Sequence, residues 1–355
     1  MRTAWKSVIG LLMSTALLMS GCAQSSSTGS SAQPAASNAT PTQPNAQNTA
    51  QADAPKQKLP EMTKLNIGSA ALTTQDITTV FVGKEKGIFE KYNLDVQIQG
   101  VEGGVVALRG LQSGNFDLTF GLPENVISGV AQGADMKIIG ASVSESLFKV
   151  FVSPDIQKVE DLKGKAAAVL QPNNGTDMQM RWWLQNNGLQ PDKDVTIISA
   201  GASPARLAAL KTGQVAVTLI ATPSDVEAEK AGMKEIAVIK DELKGLNHDV
   251  ITASGKMIRE KPEVLKAFMA AMVESIQFVK DPKNLDEVVK IGVKELGFSE
   301  EVTRKGLEFV LPTIPDDAKF NKEGIEFSLK IAKDIGIIDD SLTIDKVIDE
   351  SFYPN

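Results

Sequence analysis

The sequence predicts an α/β protein built from two similar lobes with a cleft between them. Three observations carry that expectation. Short apolar runs alternate with stretches of helical length in a β-α-β-α rhythm. The rhythm starts again half-way along the chain. Five residues, Leu108, Leu111, Gly114, Thr119 and Gly133, find the same residue type 99 positions later, at Leu207, Leu210, Gly213, Thr218 and Gly232. Strands alternating with helices fold as a largely parallel sheet covered by helices. Two such units side by side leave a cleft of the kind that binds small ligands.

The elements follow in order. KLNIGS (64–69) reads as a strand and ITTVFVGKEKGIFEKY (77–92) as a helix with its exit. LDVQIQG (94–100) alternates as a strand. VVALRGLQSG (105–114) is a short helix that Gly114 can close as a left-handed C-cap. DLTFG (117–121) is a strand, and PENVISGVAQG (123–133) a helix with Pro123 in its first turn, where a missing N–H costs nothing. MKIIGAS (136–142) completes the first set. The second set has strands at 165–171, 194–199, 215–220 and 235–240, with helices at 176–187, 204–212 and 224–231. From Lys261 the tail is helical.

Composition narrows the function. A chain of 355 residues with 42% hydrophobic residues is long enough for about two domains. A net charge of −7 lacks the basic footprint of a nucleic-acid binder, so no nucleic-acid partner is expected. One cysteine and one histidine supply neither an internal disulfide nor a zinc set, and no EF-hand run is present. No metal and no cofactor are expected. Walker loop, nucleophile elbow and complete dinucleotide fingerprint are absent from the sequence.

The single cysteine, Cys22, has a telling place. Arg2 and Lys6 precede an apolar run, VIGLLMSTALLM (8–19), and Ser20 and Gly21 lead into it. The layout is that of a secretory leader. The run is shorter than the ~18–20 residues a spanning helix needs. The ending MSGC resembles a bacterial lipobox, with Met19 where leucine is usual. It implies cleavage after residue 21, lipidation of Cys22 and anchoring of the protein outside the cytoplasm. Residues 23–58, rich in Ser, Ala, Gln, Asn, Thr and Pro, bury too little apolar surface to order, and serve as a tether.

The phrases VGKEKGIFEKYNLDVQIQ, ALRGLQSGNFDLTFG, VEDLKGKAAAVLQPNNGTDMQMRWWLQNNGL and RLAALKTGQVAVTLI occur in that order. Together with GKMIREKPEVLKAFMAAMVESIQFV they resemble the solute-binding proteins of the nitrate/sulfonate/taurine and thiamine-precursor (pyrimidine) class. The likeness covers about 64–338. It implies a type II periplasmic-binding-protein-like fold of two α/β lobes joined by two crossover strands. Lobe one would be 59–146 plus 249–355 and lobe two 147–248. It also implies capture of a small-molecule ligand by hinge closure and delivery to an ABC permease and ATPase, by a monomer. A sensory subunit for a membrane receptor is the second reading. A carboxylate-dependent enzyme on the same fold is the third, although the pyrimidine synthases of this fold resemble a cysteine-rich, histidine-containing pattern that this chain lacks.

In open α/β sheets, ligands sit beyond the carboxyl ends of the strands, against helix N-termini. That rule selects Thr74, Gln75 and Asp76 after the first strand, Gly104 after the second, and Glu124 and Asn125 after the third. In the second lobe it selects Asn174, Gly175 and Thr176, then Ser203, then Thr222. The resemblance places pocket residues on the same loops. Plainer roles exist: Thr176 and Ser203 suit N-caps, Glu124 suits a first helical turn, and Asn174–Gly175 is a turn signal. His248 falls at the expected second crossover, as a structural group or a ligand contact. Of Trp182 and Trp183, neighbours on one helix, one belongs to the core and the other to a rim or pocket wall. These loops contain no Arg or Lys, which leaves Arg206, one turn into its helix, as the nearest clamp for an anion. Glu124 and Asp76 favour instead a cation or an N–H-rich ligand. The lipobox reading has a direct check: Cys22→Ala should move the protein from the membrane to the soluble fraction or stall its processing, as read by fractionation and immunoblotting.

Overall fold

The computed structural model describes residues 56–70, 72 and 78–354. The expected leader, Cys22, nearly all of the tether, and Thr74, Gln75 and Asp76 lie outside these residues.

Among the described residues, ten strands form two five-stranded sheets. The first holds β1 (Thr63–Ser69), β2 (Leu94–Gly100), β3 (Leu118–Gly121), β4 (Met136–Val143) and β10 (Asp249–Ser254), in the order β2-β1-β3-β10-β4. The second holds β5 (Lys149–Val152), β6 (Ala166–Val169), β7 (Thr196–Ser199), β8 (Val217–Ile220) and β9 (Lys234–Val238), in the order β7-β6-β8-β5-β9. In the first, β1 pairs parallel with β2 and β3, while β10 runs antiparallel to β3 and β4. In the second, β6 pairs parallel with β7 and β8, while β5 runs antiparallel to β8 and β9. The two sheets therefore share one plan. Each is a parallel set with one antiparallel strand, next to last in the order, that enters from the other lobe. The alternating rhythm predicted the parallel strands and did not single out β5 or β10.

The 99-residue echo is structural. The helix Gly104–Gln112 is matched by the helix Ser203–Lys211, and β3 by β8, at that same offset. Leu108, Leu111, Leu207 and Leu210 are all buried at equivalent places. Gly114 and Gly213 end their helices at φ 77° and 74°, a left-handed conformation that glycine adopts without a Cβ clash. The strand expected at 235–240 is shorter, because a helical turn begins at Ile239.

The tail helices cover the first sheet. The helix Pro262–Lys280 buries Phe268, whose ring stacks on Phe89 at 5.6 Å and meets Phe120 edge-on at 6.5 Å. The tail also reaches the second lobe. In the helix Glu300–Val310, the Phe309 ring takes the ammonium groups of Lys149 and Lys240 at 5.0 and 3.9 Å, and Lys305 pairs with Glu229 at 2.7 Å. In the helix Lys322–Asp334, Phe327 meets Trp182 edge-on at 6.0 Å. Trp183, beside it, is buried in the second lobe and donates to Glu242. Of the two tryptophans, one is thus core and the other lies at the junction of the lobes rather than on the cavity wall. Removing one fully buried ring, Phe268→Ala, should cost about 3–5 kcal/mol through lost contacts and a residual cavity, read as a fall in the urea midpoint at unchanged slope.

Candidate functional site

A cavity of about 480 Å³ lies between the lobes at the carboxyl ends of the parallel strands. The first lobe lines it with the turn 100–104 after β2 and with Gly121, Leu122 and Asn125 after β3. The second answers with Leu170, Asn174 and Thr176 after β6, Ala202, Ser203 and Arg206 after β7, and Ala221 after β8. Phe148, His248 and Asp249, where the chain crosses between lobes, close the back.

Three local networks shape this space. Asn174 caps the helix Gly175–Asn186: its Oδ1 accepts from the Asp177 amide at 3.0 Å and from the Thr176 hydroxyl at 2.8 Å. Thr176 Oγ1 in turn accepts from the Leu170 amide at 2.9 Å. The cap is Asn174 rather than Thr176, because Asn174 has the extended backbone that precedes the helix. Across the cleft, the Gly175 amide donates to Asn125 Oδ1 at 3.1 Å, so the two lobes share a hydrogen bond at two helix starts. A Cβ on Gly104 would lie 2.2 Å from Asn125 Nδ2, which explains glycine there.

Arg206 carries the second network. It is 2% exposed, and its guanidinium donates to the carbonyls of Leu219 (3.0 Å) and Gly201 (2.8 Å) and to the Ser203 hydroxyl (3.0 Å). All three acceptors are neutral. No carboxylate pairs with it among the described residues, and burial pulls its pKa down to about 10. Ser203 is the first residue of its helix, and its hydroxyl serves Arg206 instead of capping. The third network lies at the crossovers. The Leu147 amide donates to His248 Nδ1 at 3.1 Å, which places the imidazole proton on Nε2. Burial pushes the His248 pKa down to about 3 and keeps the ring neutral. Its edge packs on Phe148 at 4.8 Å. Asp249, buried beside it, accepts from the Ser142 hydroxyl.

Of the residues selected from sequence, Gly104, Asn125, Asn174, Thr176, Ser203 and His248 line the cavity. Glu124, Gly175 and Thr222 stand behind it. Glu124 is fully buried and accepts from Gln179 and Ser328. Gly175 serves Asn125, and the Thr222 hydroxyl donates to Asp225 at 2.9 Å. Sequence reasoning did not select Asp249, Phe148, Leu122 or Leu170. Asp249 adjoins His248 at a crossover, and that adjacency was the available signal. Among the described residues no group of three or more His, Cys, Asp or Glu could hold a metal ion, and no helix is long and apolar enough to cross a membrane.

The sequence model of the family described as NMT1/THI5 like matches residues 74–284, more than half of the chain. The chain belongs to this family. It is 24% identical over 274 residues to the nitrate/nitrite binding protein NrtA of Synechococcus elongatus, a match covering 68% of this chain and 61% of that relative. The chain thus spans about three-fifths of that relative's length. Among solved structures it resembles the ligand-binding component of an ABC-type import system from Staphylococcus aureus, solved with zinc bound. There the TM-score is 0.71 at 15% identity, covering 82% of this chain and 98% of that one. It also resembles the alkanesulfonate-binding protein SsuA from Xanthomonas axonopodis pv. citri bound to MOPS, with a TM-score of 0.69 at 16% identity, covering 82% and 99%. The fold of this NMT1/THI5-like chain is the two-lobed periplasmic-binding-protein fold.

The Asn174 cap gives a test of this geometry. Asn174→Ala removes two accepted hydrogen bonds and should cost about 1 kcal/mol of stability, seen as a Tm fall of a few degrees.

Proposed function

We propose that the protein is a lipid-anchored extracytoplasmic binding protein of an ABC importer, which captures a small organic anion by hinge closure and delivers it to a membrane permease. The observation that carries the anion is Arg206. A buried cation whose acceptors are all neutral gains most from a ligand that brings negative charge into the cavity. A planar guanidinium suits the paired oxygens of a sulfonate or carboxylate. The volume supports an organic ligand: about 480 Å³ lies within the range of small-molecule sites and is far more than an inorganic oxyanion fills. Leu122, Phe148 and Leu170 would receive its apolar part. The ligands for which the relatives are named, nitrate and sulfonates, are anions as well. Closure of two lobes about a pair of crossovers is a hinge motion. The tether from Cys22 would let a monomeric binding domain reach its permease. We read the protein as a carrier rather than an enzyme.

Differential scanning fluorimetry of the full chain tests this with nitrate, a series of alkanesulfonates, carboxylates and amines. A sulfonate or carboxylate with an apolar tail should raise Tm, by the equivalent of about 2.7 kcal/mol at 100 times its Kd. Arg206→Met should weaken that ligand at least tenfold by calorimetry. Stabilisation by amines alone, or full affinity in Arg206→Met, would defeat the anion reading.

A further inference from the structure

We propose that Glu124 is a proton-dependent latch between the lobes: closing them encloses its carboxyl as the neutral acid, so closure takes up a proton. Glu124 lies in the first turn of the helix Pro123–Ala131 and is 0% exposed. Two other helices donate to it. Gln179, on the second-lobe helix Gly175–Asn186, donates to Oε1 at 3.2 Å. Ser328, on the tail helix Lys322–Asp334, donates to the same oxygen at 3.3 Å. Gln179 Oε1 accepts from Ser146, next to the first crossover, at 3.0 Å, which fixes the amide with its N–H group toward Glu124. One chain of polar contacts thus runs from the tail through Glu124 to the second lobe and the hinge.

The other carboxyl oxygen, Oε2, has no hydrogen-bond partner among the described residues. It faces Gly175, where a Cβ would stand 3.1 Å away. An ionised oxygen enclosed without donors is costly, and the neutral acid is much less so. In agreement, burial raises the Glu124 pKa to about 7 against the smaller opposing effect of its hydrogen bonds. Gly175 belongs to the second lobe, so parting the lobes brings water to Oε2 and returns the group toward an ordinary carboxyl.

No nearby charge overrides this. On the helices packed against Pro123–Ala131, Asp177 pairs with Arg181, Arg109 is exposed, and Asp345 and Lys346 lie on the outer turn Ile344–Val347. Lys322, Glu323, Glu326, Lys330 and Asp334 point outward and Lys333 is half-buried. On the strands, Lys137 is bonded to main-chain carbonyls and Asp249 to Ser142. None of these is a cause of the Glu124 shift. His248 stays neutral above pH 5.

The sign follows from linkage. The closed state has the higher pKa, so it binds more protons. Closure is most favoured below the ordinary carboxyl range and weakens as pH rises to about 7. Two ligand-free measurements on the full chain test this, beside Glu124→Gln, which keeps the acceptor for Gln179 and Ser328. By small-angle scattering, the wild-type radius of gyration should rise between pH 5 and pH 8, and that of Glu124→Gln should stay constant. By thermal unfolding, the Tm advantage of Glu124→Gln should grow over the same interval. A scattering profile that is flat in wild type or shared by the variant overturns the latch. So does a growing Tm advantage without a change in size, since the carboxyl would then titrate without governing closure. The proposal rests on lobe closure but needs no ligand, so its failure is distinct from failure of the import reading.

Discussion

The architecture depends on one constraint: the chain passes between the lobes twice, and each passage ends in a strand built into the receiving sheet. β5 enters the second sheet between β8 and β9, and β10 enters the first between β3 and β4. Both run against their neighbours, because each arrives from the opposite side. Ladder hydrogen bonds hold β5 and β10 on both flanks, which leaves the short irregular segments 144–148 and 243–248 as the connections between the lobes. The parallel strands then present their carboxyl ends toward one shared space. The cavity, the facing helix starts and the crossovers share that origin.

Around this space, polar groups are largely satisfied by their own lobe. Asn174, Thr176, Ser203 and the crossover groups spend their hydrogen bonds on backbone and on one another. Such pre-formed networks hold a site open at little further ordering cost when a ligand enters. Charge is the quantity left unbalanced. Arg206 has geometry without a counter-charge, and Glu124 has enclosure without a second donor pair. The two lie on opposite lobes, one at the cavity wall and one behind it.

Much of this was legible in the chain. The apolar runs of β1–β4 and β6–β9 stand between recognisable helix signals, and the echo from Leu108 to Leu207 marked the two halves as copies. The string NNGT advertised a helix start, and Arg206 stood out as the nearest basic group in loops without Arg or Lys. What stayed hidden depends on distant pairing. KVFV and DVITAS are short, and their partners lie elsewhere in the chain. The direction of Glu124 was hidden too: a first-turn residue can point into a cleft or away from it, and only the arrival of Gln179 and Ser328 from other elements decides. Asp249 escaped notice because its one signal, adjacency to His248, carries no pattern of its own.

The pairing of β4 with β10 has one more consequence. Val143 and Asp249 are register partners, so the chain leaves the first sheet and returns to it at adjacent points. In genetic terms the intervening segment is a cassette whose two ends lie about one strand spacing apart. A cassette with neighbouring ends is the arrangement that tolerates exchange, excision behind a short linker, or replacement by a reporter domain.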